Sequence, residues 1–278
     1  SNVIEQNVYD SLHIIISSPI EPICYMTSAK IDVSVSGGGG NYSYQWQQSS
    51  DSIHFNDIPS AIQPVYETEI LPNGKYYYRC IVSVNKCDVY SRISSIVTLD
   101  VYDQMFAGTI TGIDSTCYGY APAGILSVDT PATGANSIFT YQWQNFVNGH
   151  WENVEGQNST YYQPEILYTD AQYRLKVASV CDTLYTNTIY IRVNPLPQIQ
   201  PINGSINVCY NQHEVYSIDS LAKGYTYEWY LENGMGELTS NTINTTSINV
   251  YWRSPNAKDS LVLSITNDIT GCEQEVKL

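Results

Sequence analysis

Apolar and polar side chains alternate with a period of two along much of this chain. Lys30–Ser36 places isoleucine and valine on one face and polar side chains on the other, and residues 76–84 and 260–266 repeat the pattern. This period is typical of strands that bury one face. No long segment shows the 3.6-residue apolar period of an amphipathic helix. The pattern therefore predicts an all-β protein.

An aromatic motif divides the chain into repeats. It occurs as Tyr44–Gln47, again as Tyr141–Gln144 and, in a looser form, as Tyr227–Tyr230. Further matches between the first two copies keep an offset of 96 positions: Phe55 with Trp151, Tyr66 with Tyr162, and Glu69 with Glu165. Repeats of roughly 90 residues have the size of β-sandwich modules. The chain is thus expected to contain three tandem β-sandwiches.

The repeat also sets the expected module boundaries. We place the modules at residues 17–103, 104–195 and 196–278, with proline-containing links between them. Residues 1–16 precede the first module, and we interpret them as the closing strand of a preceding module or as an edge strand. Because such a strand lacks partners for its backbone groups and its apolar face, we expect it to lie along the first module or to pair with a second molecule. The second arrangement is slightly favoured, since the segment carries little charge.

Composition and charge narrow the function classes. Charged residues make up 14% of the chain, against about 25% in average proteins, and the net charge is −15. Nucleic-acid binding needs a basic patch, and the sequence contains no basic run. No apolar run is long enough to span a membrane. We therefore expect a partner of another kind, an extracellular protein or a polysaccharide.

The cysteines follow the repeat. The seven are Cys24, Cys80, Cys87, Cys117, Cys181, Cys209 and Cys272. Cys24 and Cys87, Cys117 and Cys181, and Cys209 and Cys272 lie 63, 64 and 63 positions apart. We interpret these pairs as three disulfides, each within its own module, formed in an oxidising compartment. Cys80 is then a free core residue on an alternating strand. The alternative is a set of buried reduced cysteines; zinc is disfavoured because no Cys-x-x-Cys occurs.

Several motifs resemble the immunoglobulin fold. The motif tryptophan is followed by Asp170–Leu175, which resembles the start of an immunoglobulin F strand, with Tyr173 and Tyr78 as tyrosine-corner residues. The usual disulfide between the two sheets is missing. The third module is closer to a PKD-like domain, on Tyr227–Trp229 and Val250–Trp252.

The chain as a whole resembles the tandem Ig-like and PKD-like arrays of large Bacteroidetes surface proteins. Gliding-motility adhesins and other type IX-secreted proteins carry such arrays. The resemblance implies tandem Ig-like and PKD-like β-sandwich modules, a secreted or outer-membrane-attached location and no enzyme activity.

No motif in the sequence indicates a catalytic or metal-binding site. Hydrolase motifs such as Gly-x-Ser-x-Gly and His-Glu-x-x-His are missing, and His54 and His150 occupy matching positions in two modules. The loop Asp51–Asp57 has oxygen-bearing side chains without the spacing of a calcium-binding EF-hand, which favours a turn. We expect no catalytic residue, no cofactor and no metal site.

The aromatic residues supply the candidate binding positions. Trp46, Trp143 and Trp229 occupy predicted core positions. Strand alternation turns one ring of each tyrosine cluster outward, which makes Tyr77 and Tyr161 the candidates for contact with a sugar or a protein.

A short pattern of Asp, then Ser or Thr, then an aliphatic residue or Thr recurs six times. Its hydroxyl residues are Ser11, Ser52, Ser115, Thr183, Ser220 and Ser260. The pattern resembles the O-glycosylation acceptor of exported Bacteroidetes proteins. The alternative is ordinary turn chemistry, which Asp-Ser pairs also favour.

Two functions from different classes are consistent with these features. The first is a non-catalytic extracellular spacer or adhesion segment of a large surface protein, which presents or extends its binding regions. The second is a set of accessory carbohydrate-binding modules of a secreted glycan-degrading enzyme. An exposed planar row of aromatic rings favours the second, and fully buried tryptophans favour the first.

Overall fold

The computed structural model describes residues 8–84, 90–255 and 258–278. These residues form 25 strands and no helix, which confirms the all-β prediction. The strands form sheets that pack face to face as β-sandwiches, as the repeat predicted.

The first β-sandwich is made of eight strands. They are β1 (His13–Ser17), β2 (Lys30–Ser36), β3 (Tyr42–Ser49), β4 (Asn56–Asp57), β5 (Val65–Glu67), β6 (Gly74–Val84), β7 (Tyr90–Ile93) and β8 (Val97–Val101). One sheet has the order β1-β2-β5, and the other has the order β4-β3-β6-β7 with β8 also paired to β6. Apolar side chains from both sheets form one core, which includes Ile31, Trp46 and Tyr78.

Residues 8–17 are part of this sandwich. Strand β1 pairs antiparallel with β2 at the edge of its sheet, with His13 opposite Ser36 and Ser17 opposite Asp32. Leu12 is 1% exposed and belongs to the core. Of the two arrangements expected for this segment, the structure has the one along the first sandwich. The ladder to β2 supplies hydrogen-bond partners for the backbone of β1, and the core supplies apolar contacts for Leu12.

Strands β9 to β19 follow. They are β9 (Asp103–Phe106), β10 (Thr109–Thr111), β11 (Ser115–Cys117), β12 (Leu126–Thr130), β13 (Thr133–Ala135), β14 (Thr140–Val147), β15 (His150–Asn153), β16 (Tyr161–Tyr162), β17 (Ala171–Ala178), β18 (Thr183–Tyr185) and β19 (Ile189–Asn194). One sheet has the order β10-β12-β16 and another the order β11-β19-β17-β14-β15, with β18 paired to β17. Strands β9 and β13 form a separate two-stranded ladder.

The last sandwich has two three-stranded sheets. Its strands are β20 (Gln212–Ser217), β21 (Tyr225–Leu231), β22 (Gly236–Leu238), β23 (Ser247–Trp252), β24 (Leu261–Asn267) and β25 (Glu273–Lys277). The sheets have the orders β20-β23-β22 and β21-β24-β25. Tyr216, Trp229 and Val250 lie in the core between them.

The chain divides into two compact units. One consists of Ser1–Thr109, Asp129–Gln142 and Leu175–Thr186, and the other of Ile110–Val128, Trp143–Arg174 and Asn187–Leu278. Within the described ranges, no helix has the length and apolarity needed to cross a bilayer.

Candidate functional site

The first covalent feature is a disulfide between Cys24 and Cys181. Cys24 follows Ile23, whose backbone bridges to Val101 at the end of the first sandwich. Cys181 lies in the turn between β17 and β18, where the Ser179 hydroxyl accepts hydrogen bonds from the N–H groups of Cys181 and Asp182. The two Cα atoms are 5.4 Å apart. The bond therefore joins the opening segment of the first repeat to a turn of the second.

A second disulfide repeats this arrangement one module further on. Cys117 ends β11, the opening segment of the second repeat, and bonds to Cys272, with a Cα–Cα distance of 5.6 Å. Cys272 is fully buried and lies in the turn between β24 and β25 of the third repeat. In both bonds the opening segment of one repeat is tied to a late turn of the next.

The predicted pairings within single modules are corrected by these bonds. Cys24 pairs with Cys181 rather than Cys87, and Cys117 pairs with Cys272 rather than Cys181. Cys209 is a free, exposed thiol, and Cys87 lies outside the described residues. The prediction failed because any pairing that respects the repeat gives nearly equal separations, here 157 and 155. The cysteine spacing alone cannot distinguish a bond within a repeat from one between neighbours.

Cys80 is free and buried, as the strand alternation predicted. Burial raises the pKa of its thiol to about 11. Since the thiolate is the reactive form, iodoacetamide should alkylate Cys209 in the native protein at neutral pH and leave Cys80 unmodified until the protein is unfolded. Mass spectrometry of tryptic peptides before and after denaturation measures both sites. Native labelling of Cys80 at the rate of Cys209 would contradict the buried position.

The outer sheet face of the first sandwich carries an arginine held between a polar and an aromatic side chain. The Arg79 Nε donates to Gln47 Oε1 over 2.7 Å, and its guanidinium lies 4.0 Å from the centre of the Phe55 ring. Gln47 in turn donates to Asp57 Oδ1 over 2.7 Å. Gln47, Asp57 and Arg79 lie on strands β3, β4 and β6, and Phe55 lies just before β4. Their contacts link these strands on the outer face of the sheet.

The second repeat contains an equivalent cluster, with a tryptophan in place of the phenylalanine and an asparagine in place of the aspartate. Arg174 Nε donates to Gln144 Oε1 over 2.9 Å, and the guanidinium lies 4.3 Å from the centre of a Trp151 ring. Gln144 donates to Asn153 over 2.9 Å. The sequence offset had matched Trp151 with Phe55, and the structure shows that both rings contact an arginine.

Replacing Arg79 with alanine should lower the free energy of unfolding by about 1–3 kcal/mol. The substitution removes the ring contact and leaves the buried Gln47 oxygen without a donor. Chemical denaturation measures the change. Arg92→Ala is the matched control, because Arg92 is exposed on β7 and its loss should change stability by less than about 0.5 kcal/mol. Equal effects of the two variants would contradict a specific role for the Arg79 cluster.

The repeated geometry agrees with the family comparison. Residues 16–103 and 106–195 each match the family described as "Domain of unknown function (DUF8696)", and together they cover more than half of the chain. The chain belongs to the DUF8696 family. Residues 195–278 match the family described as "PKD-like domain". No curated protein matches the chain.

Several solved structures are similar to the chain at low sequence identity. A marsupial T cell receptor is 12% identical, with coverage of 96% of this chain and 99% of that chain and a TM-score of 0.45. Three N-terminal domains of the bacteriophage RB49 highly immunogenic outer capsid protein are 13% identical, with coverage of 96% and 95% and a TM-score of 0.35. Fibronectin(III)-like modules of Clostridium thermocellum CbhA are 11% identical, with coverage of 66% and 95% and a TM-score of 0.33.

Two disulfides combined with Ig-like and PKD-like domains indicate a secreted or cell-surface location. Disulfides form and persist in oxidising compartments, and sandwich domains of this type are typically non-catalytic modules of extracellular proteins.

The motif tryptophans of both DUF8696 repeats and of the PKD-like repeat lie in the cores. Trp46, Trp143 and Trp229 are at most 1% exposed. Each indole N–H donates to a backbone carbonyl oxygen: Trp46 to Gln63 at 2.8 Å, Trp143 to Ser159 at 3.0 Å, and Trp229 to Thr245 at 3.1 Å. These rings are therefore unavailable to a ligand.

The two candidate tyrosines differ in exposure. Tyr161, on β16 of the second DUF8696 repeat, is 60% exposed, whereas Tyr77, on β6 of the first, is half-buried. The sequence analysis missed Tyr118 and Tyr168, which are exposed and contact each other edge-to-face with ring centres 5.3 Å apart. Tyr118 follows Cys117 directly. Its position next to a cysteine of the repeat could have identified it as a candidate from the sequence.

The Asp51 loop is a turn stabilised by its own carboxylate. Asp51 accepts hydrogen bonds from the N–H groups of Ile53 and His54, the His54 ring and the Ser49 hydroxyl. These bonds, chiefly the one from the His54 side chain, lower the pKa of Asp51. Both carboxylate oxygens of Asp51 thus accept hydrogen bonds within the loop. Across the described ranges, no cluster of three His, Cys, Asp or Glu side chains has metal-binding geometry.

The six hydroxyl residues of the Asp-Ser/Thr pattern all lie outside the cores of the repeats. Ser11, Thr183 and Ser220 are exposed, and Ser52, Ser115 and Ser260 are half-buried. Two of the preceding aspartates accept a hydrogen bond from the following backbone N–H: Asp182 from Thr183 and Asp259 from Ser260. This geometry is that of a turn, and glycosylation of these residues stays a prediction.

Proposed function

We propose that this chain is a non-catalytic segment of a large secreted or outer-membrane-attached protein, in which tandem modules support or present adhesive regions. The modules are the Ig-like repeats at 17–103 and 104–195 and the PKD-like repeat at 196–278. The resemblance to Bacteroidetes gliding-motility adhesins and type IX-secreted proteins supports this setting, as does the net charge of −15, which keeps such a surface segment soluble.

The observation that carries the proposal is the covalent connection of successive repeats. Domains joined only by short linkers normally move relative to one another. A disulfide from the opening segment of one repeat to a turn of the next removes much of that freedom. A segment that bears load between a cell and its target benefits from such restriction, whereas an isolated enzyme or transport module does not require it.

The adhesive contacts we propose are with an extracellular protein or polysaccharide. Tyr161 is the leading contact residue, since an exposed tyrosine offers an apolar ring and a polar hydroxyl at a small cost in conformational entropy. Neither a nucleic acid nor a membrane interior is a proposed partner.

A second candidate function is carbohydrate binding as an accessory module of a glycan-degrading enzyme. The exposed pair Tyr118 and Tyr168 favours it, because sugar rings stack on aromatic faces. However, the two rings are inclined at 75°. They do not form the flat platform that polysaccharide-binding modules use, and this is why the spacer or adhesion role is preferred.

A binding assay on cells or extracellular matrix, run beside affinity electrophoresis in gels with embedded polysaccharides, separates the two functions. The adhesion proposal predicts binding to cells or to an extracellular matrix that Tyr161→Ala weakens by about tenfold, a loss of roughly 1.4 kcal/mol. It also predicts that Tyr118→Ala and Tyr168→Ala, the matched exposed controls, bind normally. Retardation by a polysaccharide that only the two control substitutions abolish would instead establish the carbohydrate-binding module.

A further inference from the structure

The opening cysteine of the first repeat is held at the point where the chain leaves that repeat. The Ile23 backbone bridges in parallel to Val101, the last residue of β8. Its N–H donates to the Asp100 carbonyl oxygen, and its carbonyl oxygen accepts from the Tyr102 N–H, both over 2.9 Å. Cys24 therefore lies about one strand spacing, roughly 5 Å, from the exit of the first repeat.

Only a short segment connects this exit to the opening cysteine of the second repeat. From Val101 to Cys117 the chain has about 16 residues, which span about 53–58 Å when fully extended. The disulfide to Cys24 ties Cys181 to the start of this segment, with the two Cα atoms 5.4 Å apart. While the first repeat stays folded, Cys117 and Cys181 can thus be separated by at most about 70 Å.

The second repeat contains far more chain between the same two cysteines. Cys117 and Cys181 are 64 positions apart, which corresponds to roughly 210–230 Å of extended chain. The segment includes strands β12, β14 and β17. Unfolding of the second repeat would release this length if nothing else joined the two cysteines. The folded first repeat limits the release to about a third of it.

We propose that the first repeat is a mechanical stop that prevents the second repeat from unravelling under tension. The Cys24–Cys181 bond makes residues 25–116 and 118–180 two parallel routes between the same two points. When tension opens the second repeat, the folded first repeat takes up the load after a limited extension. The ends of the opened segment stay close, which lowers the entropy cost of refolding when the tension falls.

The third repeat supplies a similar route through the other disulfide. The Cys117–Cys272 bond places residues 182–271 in parallel with the same segment. Ile202 is the earliest residue in the core of the third sandwich. From Cys181 to Ile202 the chain has about 21 residues, or about 69–76 Å when extended, and the folded third repeat adds to this length. This second stop therefore engages after the first.

This inference deepens the load-bearing role proposed above, and it concerns only the path of tension. It involves no ligand and no exposed tyrosine. The force measurement described next and the binding assay on cells or matrix can therefore fail independently of each other.

Force spectroscopy of the whole chain, with handles at the ends of the segment, tests the proposal. p-Azidophenylalanine in place of Tyr118 and Val180, which are 49% and 69% exposed, attaches one DNA handle beside each cysteine. In the variant with Cys117→Ser and Cys272→Ser, only the first-repeat route remains in parallel. At constant pulling speed, we expect a second force peak at a handle separation of about 70–80 Å. The separation should reach roughly 205–225 Å only after that peak.

The matched control lacks both disulfides and keeps the same handles. When Cys24→Ser and Cys181→Ser are added, the segment should extend to roughly 205–225 Å after a single peak. A bonded variant without the peak at about 70–80 Å would overturn the proposal, as would the same peak in the control.

Two arginine variants that keep both disulfides assign the peaks to repeats, whether or not the serine variants fold. Arg79→Ala weakens the first repeat and should lower the force of the peak at about 70–80 Å, with the earlier peak unchanged. Arg174→Ala removes the equivalent contact in the second repeat, and it should lower the earlier peak alone. Equal effects of both variants on both peaks would contradict a stop formed by the first repeat.

Discussion

Removing both disulfides is expected to lengthen the unfolded chain, stretched between its ends, by roughly 600–660 Å. The two bonds cross in sequence: Cys24 to Cys181 encloses Cys117, and Cys117 to Cys272 encloses Cys181. With both bonds closed, the shortest covalent path runs from Cys24 to Cys181, back along the chain to Cys117 and across to Cys272. This path leaves out about 185 residues, and each residue spans about 3.3–3.6 Å when extended. Force spectroscopy with handles at both termini measures this length with and without reductant.

The variants that remove one bond at a time supply the control. Cys24→Ser with Cys181→Ser, or Cys117→Ser with Cys272→Ser, should lengthen the stretched chain by only roughly 90–100 Å. The remaining bond still leaves out about 155 residues of the path. Only removal of both bonds should release the full length. Bonds within single repeats would behave differently, since each would release an independent increment of roughly 210–230 Å.

Trp143→Ala should lower the free energy of unfolding by about 3–5 kcal/mol. The indole is fully buried, its ring centre lies 5.7 Å from that of Tyr162, and its N–H donates to Ser159. Truncation leaves a cavity and an unpaired carbonyl oxygen in a core that cannot collapse completely. Urea denaturation followed by circular dichroism gives the change.

Trp151→Ala is the matched control in the same repeat. Trp151 is half-buried and contacts Arg174 and Phe146 on the outer sheet face. Its loss should cost about 1–2 kcal/mol, because a partly exposed ring leaves no closed cavity. Equal costs for the two tryptophans would contradict the assignment of Trp143 to the core.

The alternation of apolar and polar residues predicted the strands well because each strand buries one face. Lys30–Ser36 is a strand with its isoleucine and valine inward, and Cys80 lies in the core as its position on β6 required. The role of residues 8–17 was harder to predict. The offset of 96 places His13–Ser17 over β10. Strand β1 pairs with β2, and β10 pairs with β12, which the same offset places over β2. Their sequences share only an isoleucine, so the equivalence could not be seen before the pairing was known.

Sequence identified the cysteines of the candidate site but not their partners. A periodic chain presents equivalent cysteines at equivalent positions, and only the contact between consecutive repeats decides which two sulfurs meet. The Arg79 cluster could not be predicted either, because Gln47 on β3, Arg79 on β6 and Phe55 in the loop before β4 are brought together only by the folded sheet. Tyr77 looked equivalent to Tyr161, yet neighbouring strands β3 and β8 flank it on both sides and limit its exposure.

Disulfide mapping of the oxidised protein tests the covalent connection of successive repeats most directly. Proteolysis without reductant, followed by mass spectrometry, should yield one peptide pair that joins Cys24 to Cys181 and another that joins Cys117 to Cys272. Peptide pairs that instead join Cys24 to Cys87, Cys117 to Cys181 and Cys209 to Cys272 would contradict the account, because each repeat would then be closed on itself.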